Sequence, residues 1–343
     1  VSSQKGREEK NKTEIGKQKP SPHPSTLPHT MILLLGATGY IGQAFETALK
    51  QRGEGFISLS RSQVDYTHFP SLHAYLKTSR PSFVINAAGY TGKPNVDACE
   101  LAKADTLQGN ALFPQALANA CAALEIPWGH VSSGCIFAGC QVDYGDGWIV
   151  EKDMTCPAFR ALAETSPEKI RGFDETMSPN FSFRDLPCSF YSGTKALGEE
   201  AIQGVGQNYI WRLRIPFDEF DNHRNYLSKV QRYAKVYNNF NSLSQRSDYV
   251  NACLDTWFKK IPFGTYNVTN PGYISTAEVI EMIKTILKPN REFTFWQSDE
   301  DFYANGAVTP RSNCIMDSNK LIDAGVVIRP VRESLEAALR AWT

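Results

Sequence analysis

The 343-residue chain carries 36 basic and 36 acidic residues, and is 42% hydrophobic and 21% charged. A net charge of zero excludes recruitment of nucleic acid or an anionic membrane surface by a global field, so a partner has to be recognised locally. No 18-residue apolar run is present, which excludes a bilayer-spanning helix. Eight cysteines without a CxxC pair, and six histidines without ligand spacing, read as free thiols of the cytoplasm with no metal site.

Residues 1–30 hold Lys5, Arg7, Lys10, Lys12, Lys17 and Lys19, then Pro20, Pro22, Pro24 and Pro28, with almost no apolar side chains. Such a stretch buries too little surface to offset its ordering entropy, and is expected to be a disordered tail without the apolar region of a secretory signal.

From Met31 strand and helix patterns alternate. The wholly apolar run 31–36 reads as a strand buried on both faces of a parallel sheet. A helix through Ile41, Phe45 and Leu49 follows, then a strand at 56–60 and a helix near Leu72 and Leu76. Next come strand 83–89, an alanine-rich helix at 104–124, strand 130–137 and strand 209–216. This succession predicts an α/β fold, a Rossmann-type doubly wound parallel sheet over 31–216. A loop-rich insertion, 138–188, interrupts it, with a short helix near 157–169. Beyond 217 the texture changes to helices at 275–287 and 331–341 and a short strand region at 265–272. Residues 217–343 are expected to form a smaller C-terminal α/β domain that mainly binds substrate.

GATGYIG places Gly36, Gly39 and Gly42 where the first strand turns into the first helix, with Thr38, Tyr40 and Ile41 completing the turn. The first glycine permits the turn, the second lets backbone approach a pyrophosphate, and the third lets helix and strand pack closely. The helix N-terminus offers free N–H groups to phosphate. These features predict a dinucleotide cofactor. The second strand ends Ser58-Leu59-Ser60-Arg61, with no carboxylate before Asp65. An acidic residue there would hold a ribose 2′-hydroxyl, whereas arginine accommodates a 2′-phosphate. NADPH is therefore expected, with Arg61 on the phosphate, helped by Ser60, and Asp65 toward the adenine side.

YSGTK sets Tyr191 and Lys195 four apart, on one face of a helix. An ammonium beside a phenol favours the phenolate and brings the tyrosine toward the range of proton exchange at neutral pH. A serine at a strand end completes the set: Ser133, with Ser132 as its competitor. Alternation along a regular strand gives Ser133 and Cys135 one face, and Ser132 and Gly134 the other.

Together GATGYIG, NAAG (86–89), the serine-ended strand and YSGTK resemble the extended short-chain dehydrogenase/reductases. More narrowly, the chain is similar to the dTDP-4-dehydrorhamnose reductases, and most to the nucleotide-rhamnose synthases, which are 3,5-epimerase/4-reductases. NAAGYTGKPNVDACE (86–100), SGCIF (133–137), RLRIP (212–216), RNYLSK (224–229) and PRSNCIMD (310–317) carry that likeness across nearly all of 31–343. The resemblance implies a reductase triad of Ser133, Tyr191 and Lys195, and an epimerase pair of Cys135 and Lys229. It also implies NADPH held with the help of Asn86, Ala87, Ala88, Tyr191 and Lys195. The implied substrate is a UDP- or dTDP-linked 4-keto-6-deoxyhexose, and a homodimer is compatible with it. Gly134-Cys135 stands where the related 4,6-dehydratases carry an Asp-Glu pair, which argues against dehydration. The alternatives are a reductase without epimerase activity and a non-catalytic NADP-binding regulatory subunit.

Overall fold

A computed structural model describes residues 31–343 except Pro94; the tail expected over 1–30 lies outside the described residues. In chain order, β1 (Ile32–Leu35) leads to α1 (Tyr40–Gln51), β2 (Phe56–Leu59) to α2 (Phe69–Ser79), and β3 (Phe83–Asn86) to a 3-10 turn at Val96–Glu100. The expected alanine-rich helix is α3 (Lys103–Leu107) and α4 (Phe113–Ala123), joined through a π-helical turn at Gln108–Leu112. Then come β4 (Trp128–Ser133), β5 (Cys140–Asp143), β6 (Trp148–Glu151), α5 (Pro157–Thr165), β7 (Ile170–Arg171), α6 (Phe190–Ile202), β8 (Asn208–Leu213) and β9 (Pro216–Phe217). The chain closes with α7 (Tyr226–Arg232), β10 (Phe240–Gln245), α8 (Arg246–Phe258), β11 (Gly264–Asn267), β12 (Asn270–Ser275), α9 (Thr276–Leu287), α10 (Asp299–Asn305), α11 (Asn319–Asp323) and α12 (Val331–Arg340).

Six parallel strands form the main sheet in the order β11-β8-β4-β3-β1-β2. Its apolar runs face both ways, as a parallel sheet covered on both sides requires. Ile32 and Leu34 enter a core with Phe45 of α1, Trp211 of β8 and Tyr249 of α8. Leu33 and Leu35 enter the opposite one, with Leu72, Leu76, Leu117 and Ile202. Gly129 of β4 is needed beside the Trp211 indole, since a Cβ there would overlap the ring.

The single boundary at 216/217 does not hold. Beyond it, α8 buries Tyr249, Val250, Cys253 and Leu254 in the first of these cores, and β11 pairs with β8 at the sheet edge. Residues 246–267 thus belong with the main sheet, against which their apolar face is buried. Val268, and Leu321 and Val326 around α11, join that first core too, and most of the remainder forms a smaller unit. Sheet β12-β10-β9 packs with α7, α9 and α12 around Phe217, Leu227, Val279, Ile283 and Leu335.

The insertion is more ordered than a loop-rich stretch. β5 pairs antiparallel with β6 and β7, and alternation puts Cys140 and Val142 into a satellite core with Met154, Phe159 and Ile170.

Candidate active site

At the C-terminal ends of the main strands, where doubly wound sheets hold ligands, lies a cavity of about 790 Å³ shared with the smaller unit. Ser133, Tyr191, Lys195, Arg214 and Lys229 all line it, beside Gly39, Tyr40, Ile41, Ala87 and Ala88.

The glycine turn is fixed by packing. Gly36 has φ +77°, and a Cβ there would lie 2.5 Å from the Ala88 nitrogen; a Cβ on Gly42 would overlap the Gly36 carbonyl. No side chain caps the N-terminus of α1, and its first turn holds no acidic residue. Uncapped N–H groups beside small residues fit a dinucleotide phosphate. Gly36, Thr38 and Gly42 support the turn from outside the cavity lining. Asn86 lies fully buried beneath it. Its Oδ1 accepts from Ala88 N at 3.0 Å, and its Nδ2 lies 3.1 Å from His130 Nδ1. Arg61 and Asp65 are exposed on the turn after β2 and do not line the cavity either. Asp65 Oδ1 accepts from Thr67 Oγ1 at 2.5 Å and Thr67 N at 3.1 Å, which holds its carboxyl below the usual range.

Tyr191 and Lys195 sit on α6, whose entry is fixed by Ser189: its Oγ accepts from Ser192 N at 3.1 Å. Phe190 N donates to Glu100 Oε1 at 2.7 Å. Burial raises the Tyr191 phenol far above its ordinary value, the neighbouring Cys135 adds to that, and a hydrogen bond with Ser133 and the charge of Arg214 oppose it. Arg214 is thus a cation that opposes the rise, beside the Lys195 to which the YxxxK spacing pointed. Lys195 is 5% exposed and donates to Val131 O at 3.2 Å, and burial lowers its ammonium.

Face alternation does not extend to Cys135. β4 ends at Ser133, and Gly134–Ile136 make a 3-10 turn in which Ser133 Oγ accepts from Cys135 N at 3.2 Å. Cys135 is 7% exposed and does not line the cavity; it belongs to a buried cluster with Phe137 and Met316 that Tyr191 packs against. Burial raises its thiol, opposed by hydrogen bonds with Ser133 and Ser192 and by Arg214 and Lys195. Ser132, the alternative hydroxyl, also borders the cavity, but its Oγ donates to Glu199 Oε1 at 2.5 Å. Lys229 comes from α7 and forms no ion pair among the described residues. Burial and then Arg224 lower its ammonium, the direction a proton-exchanging lysine needs.

Three supporting residues escaped the motif reading. Asn110, on the π-turn, brackets Tyr90: Oδ1 accepts from its N–H at 2.9 Å and Nδ2 donates to its carbonyl at 2.8 Å. Glu199 receives Arg212 as well as Ser132 beneath the end of β4. Arg214 was signalled by a second arginine in RLRIP, two positions after another on a strand that must be buried.

Comparison with known proteins agrees with this geometry. The family described as RmlD substrate binding domain matches residues 30–172. A bifunctional dTDP-4-dehydrorhamnose 3,5-epimerase/dTDP-4-dehydrorhamnose reductase of Arabidopsis thaliana is 30% identical over 304 residues, covering 88% of this chain and 90% of its own. A trifunctional UDP-glucose 4,6-dehydratase/UDP-4-keto-6-deoxy-D-glucose 3,5-epimerase/UDP-4-keto-L-rhamnose-reductase of the same plant is also 30% identical over 304 residues, but the chain spans only 41% of its length. Among solved structures, the UDP-rhamnose synthase of Acanthamoeba polyphaga mimivirus superposes with a TM-score of 0.76 at 23% identity, over 91% of this chain and 99% of that one. The dTDP-4-dehydrorhamnose reductase of Bacillus anthracis in complex with NADP gives 0.69 at 20% identity, over 91% and 98%. These superpositions bear out the doubly wound fold, and on sequence the chain belongs to the dTDP-4-dehydrorhamnose reductase family, alongside its bifunctional epimerase/reductase members.

Proposed function

We propose that this chain catalyses NADPH-dependent reduction of a UDP- or dTDP-linked 4-keto-6-deoxyhexose, preceded by 3,5-epimerisation, to give a nucleotide-rhamnose. The observation that carries the reading is one cavity lined by Ser133, Tyr191, Lys195 and Lys229, with Cys135 in the buried cluster that Tyr191 packs against. A 4-keto group acidifies the hydrogens on C3 and C5, and Cys135 and Lys229 exchange those protons. Ser133 and Tyr191 hydrogen-bond the C4 oxygen as it gains charge. NADPH, when bound, supplies a hydride to C4. Tyr191 then gives its proton to the C4 oxygen, while Lys195 orients the ribose hydroxyls. Gly39, Tyr40 and Ile41 would hold the pyrophosphate of the cofactor, and Arg61 its 2′-phosphate. Residues 31–216 with 246–267 serve as the cofactor unit and the remainder mainly as the substrate unit. We place the enzyme in the cytoplasm as a homodimer; its eight free thiols support a reducing location, and no helix among the described residues is long and apolar enough to cross a membrane.

The burial of Cys135 supports a second reading, a reductase without epimerase activity. One experiment separates the two. Both keto-sugar nucleotides are incubated with enzyme and NADPH in deuterated water, and product sugar and deuterium at C3 and C5 are read by mass spectrometry. Rhamnose carrying deuterium is expected, and an unepimerised, unlabelled product would leave only the reductase. Tyr191→Phe should abolish NADPH oxidation yet leave NADPH binding nearly intact; near-wild-type turnover would remove Tyr191 as the acid.

A further inference from the structure

Arg214 lies just past the end of β8, in the sequence that resembles the family, yet the triad and the epimerase pair give it no role. It is 5% exposed and lines the cavity. Its Cδ stands 3.6 Å from where a Cβ on Gly134 would be, against the turn that carries Cys135. The next residue, Ile215, has φ +35°, a left-handed backbone that a β-branched residue adopts only when its surroundings hold it there. Arg214 Nη2 donates to Asn241 Oδ1 at 2.5 Å and to the Ser312 carbonyl, while the buried Nε has no partner. Among the described residues no carboxylate pairs with this guanidinium.

The groups that feel its charge are Cys135 on the turn after β4, Tyr191 on α6, Tyr226 on α7 and Cys314. Lys195, Cys99 and Cys188 are further titratable neighbours of Cys135 and Tyr191, and Lys229, Arg224 and Arg311 line the same cavity. Apart from Lys195, Lys229, Arg224 and Arg311, these are acids that rest neutral. A buried cation without a counter-ion, surrounded by neutral acids, is a fixed source of positive potential in a low-dielectric site.

We propose that Arg214 is a positioning residue whose uncompensated charge favours, in turn, the thiolate of Cys135, the enolate of the substrate and the phenolate of Tyr191. This rests on the epimerase/reductase reading. In epimerisation the Cys135 thiol loses its proton to solvent, and the thiolate takes a proton from carbon. The bonding pair moves into the carbonyl to leave an enolate oxygen, the Lys229 ammonium gives a proton to the other face to restore the ketone, and Lys229 and Cys135 re-equilibrate their protons with solvent. In reduction, Tyr191 loses its proton to the C4 oxygen and regains one from solvent. Each step moves one negative charge among sites near the guanidinium, so its stabilisation is already in place when the charge develops. Burial raises both acids; after the hydrogen bonds with Ser133, Arg214 is among the groups that oppose that rise.

The test uses full-length enzyme, UDP- and dTDP-4-keto-6-deoxyglucose, deuterium incorporation at C3 and C5, and NADPH oxidation, each followed against pH. Arg214→Gln should slow exchange by about 10²–10³-fold, leave KM little changed, and move the acid limb of the exchange profile up by about one pH unit or more. Arg214→Lys should restore part of the rate and most of the limb. Asn241→Asp sets a carboxylate on the guanidinium with little change of shape, and should shift the limb in the same direction although the arginine remains. That variant decides the matter if Arg214→Gln does not fold. An unmoved limb in both variants, or a loss confined to KM, overturns the proposal. Wild-type enzyme that exchanges neither proton refutes the epimerase reading instead. The proposal is then decided by reduction of an already epimerised keto-sugar, where the same limb shift supports it and an unmoved limb overturns it.

Discussion

Replacing Glu199 with alanine should destabilise the protein far more than loss of an ordinary ion pair. Glu199 and Arg212 are 6% and 5% exposed. Arg212 donates to Glu199 Oε2 from Nε at 3.0 Å and from Nη2 at 2.8 Å, and Ser132 Oγ donates to Oε1 at 2.5 Å. Arg212 Nη1 already lacks a partner, so the guanidinium has no second acceptor in reserve. Glu199→Ala therefore leaves a buried charge unpaired, which costs about 3–5 kcal/mol. The orphaned Ser132 hydroxyl adds about 1–3 kcal/mol. With an unfolding entropy of roughly 2.1 cal/mol/K per residue, the first term alone lowers the midpoint by about 4–7 °C. Calorimetry and urea titration measure it. Replacing both partners with leucine should recover most of the loss, because two apolar groups of similar volume leave no charge to solvate. A single variant within about 1 kcal/mol of wild type, or a double variant as unstable as the sum of the singles, would refute this account of the strand end that carries Ser133.

Two further outcomes follow from the same geometry. His130 is fully enclosed beside Asn86, and burial, then Lys195, holds its imidazole well below the ordinary value. The unfolded chain binds a proton near pH 6.5 that the folded chain refuses, so this contribution is complete above about 6.5 and is lost as pH falls from there toward the folded pKa, at up to about 1.4 kcal/mol per unit. His130→Gln should flatten that part of the stability curve, and an unchanged slope would contradict the assignment. Wild-type enzyme should prefer NADPH over NADH, and Arg61→Ala should weaken that preference in kcat/KM; equal efficiency with both cofactors in the wild type would remove the role given to Arg61.

Much of the candidate site was legible because its geometry depends on local rules. Gly36 and Gly42 are demanded by a strand-to-helix turn whose contacts lie within a few residues or on the adjacent strand. Tyr191 and Lys195 need only the period of a helix. Cys135 was less readable. Strand alternation gave it a place beside Ser133, but the strand stops at Ser133, and a 3-10 turn rather than a pleat sets the position of the thiol.

By itself, the sequence determined the doubly wound sheet, the glycine turn and the serine-tyrosine-lysine set, since buried parallel strands, phosphate turns and i,i+4 pairs each leave a pattern in contiguous residues. Only the tertiary structure decided that 246–267 rejoins the first core, that 138–171 folds as a small antiparallel sheet, and that Arg214 stands among the groups opposing the rise of the Tyr191 phenol. Those outcomes depend on which apolar face finds a partner and on which charges are left together out of water. Both are long-range properties of packing that no window of sequence contains.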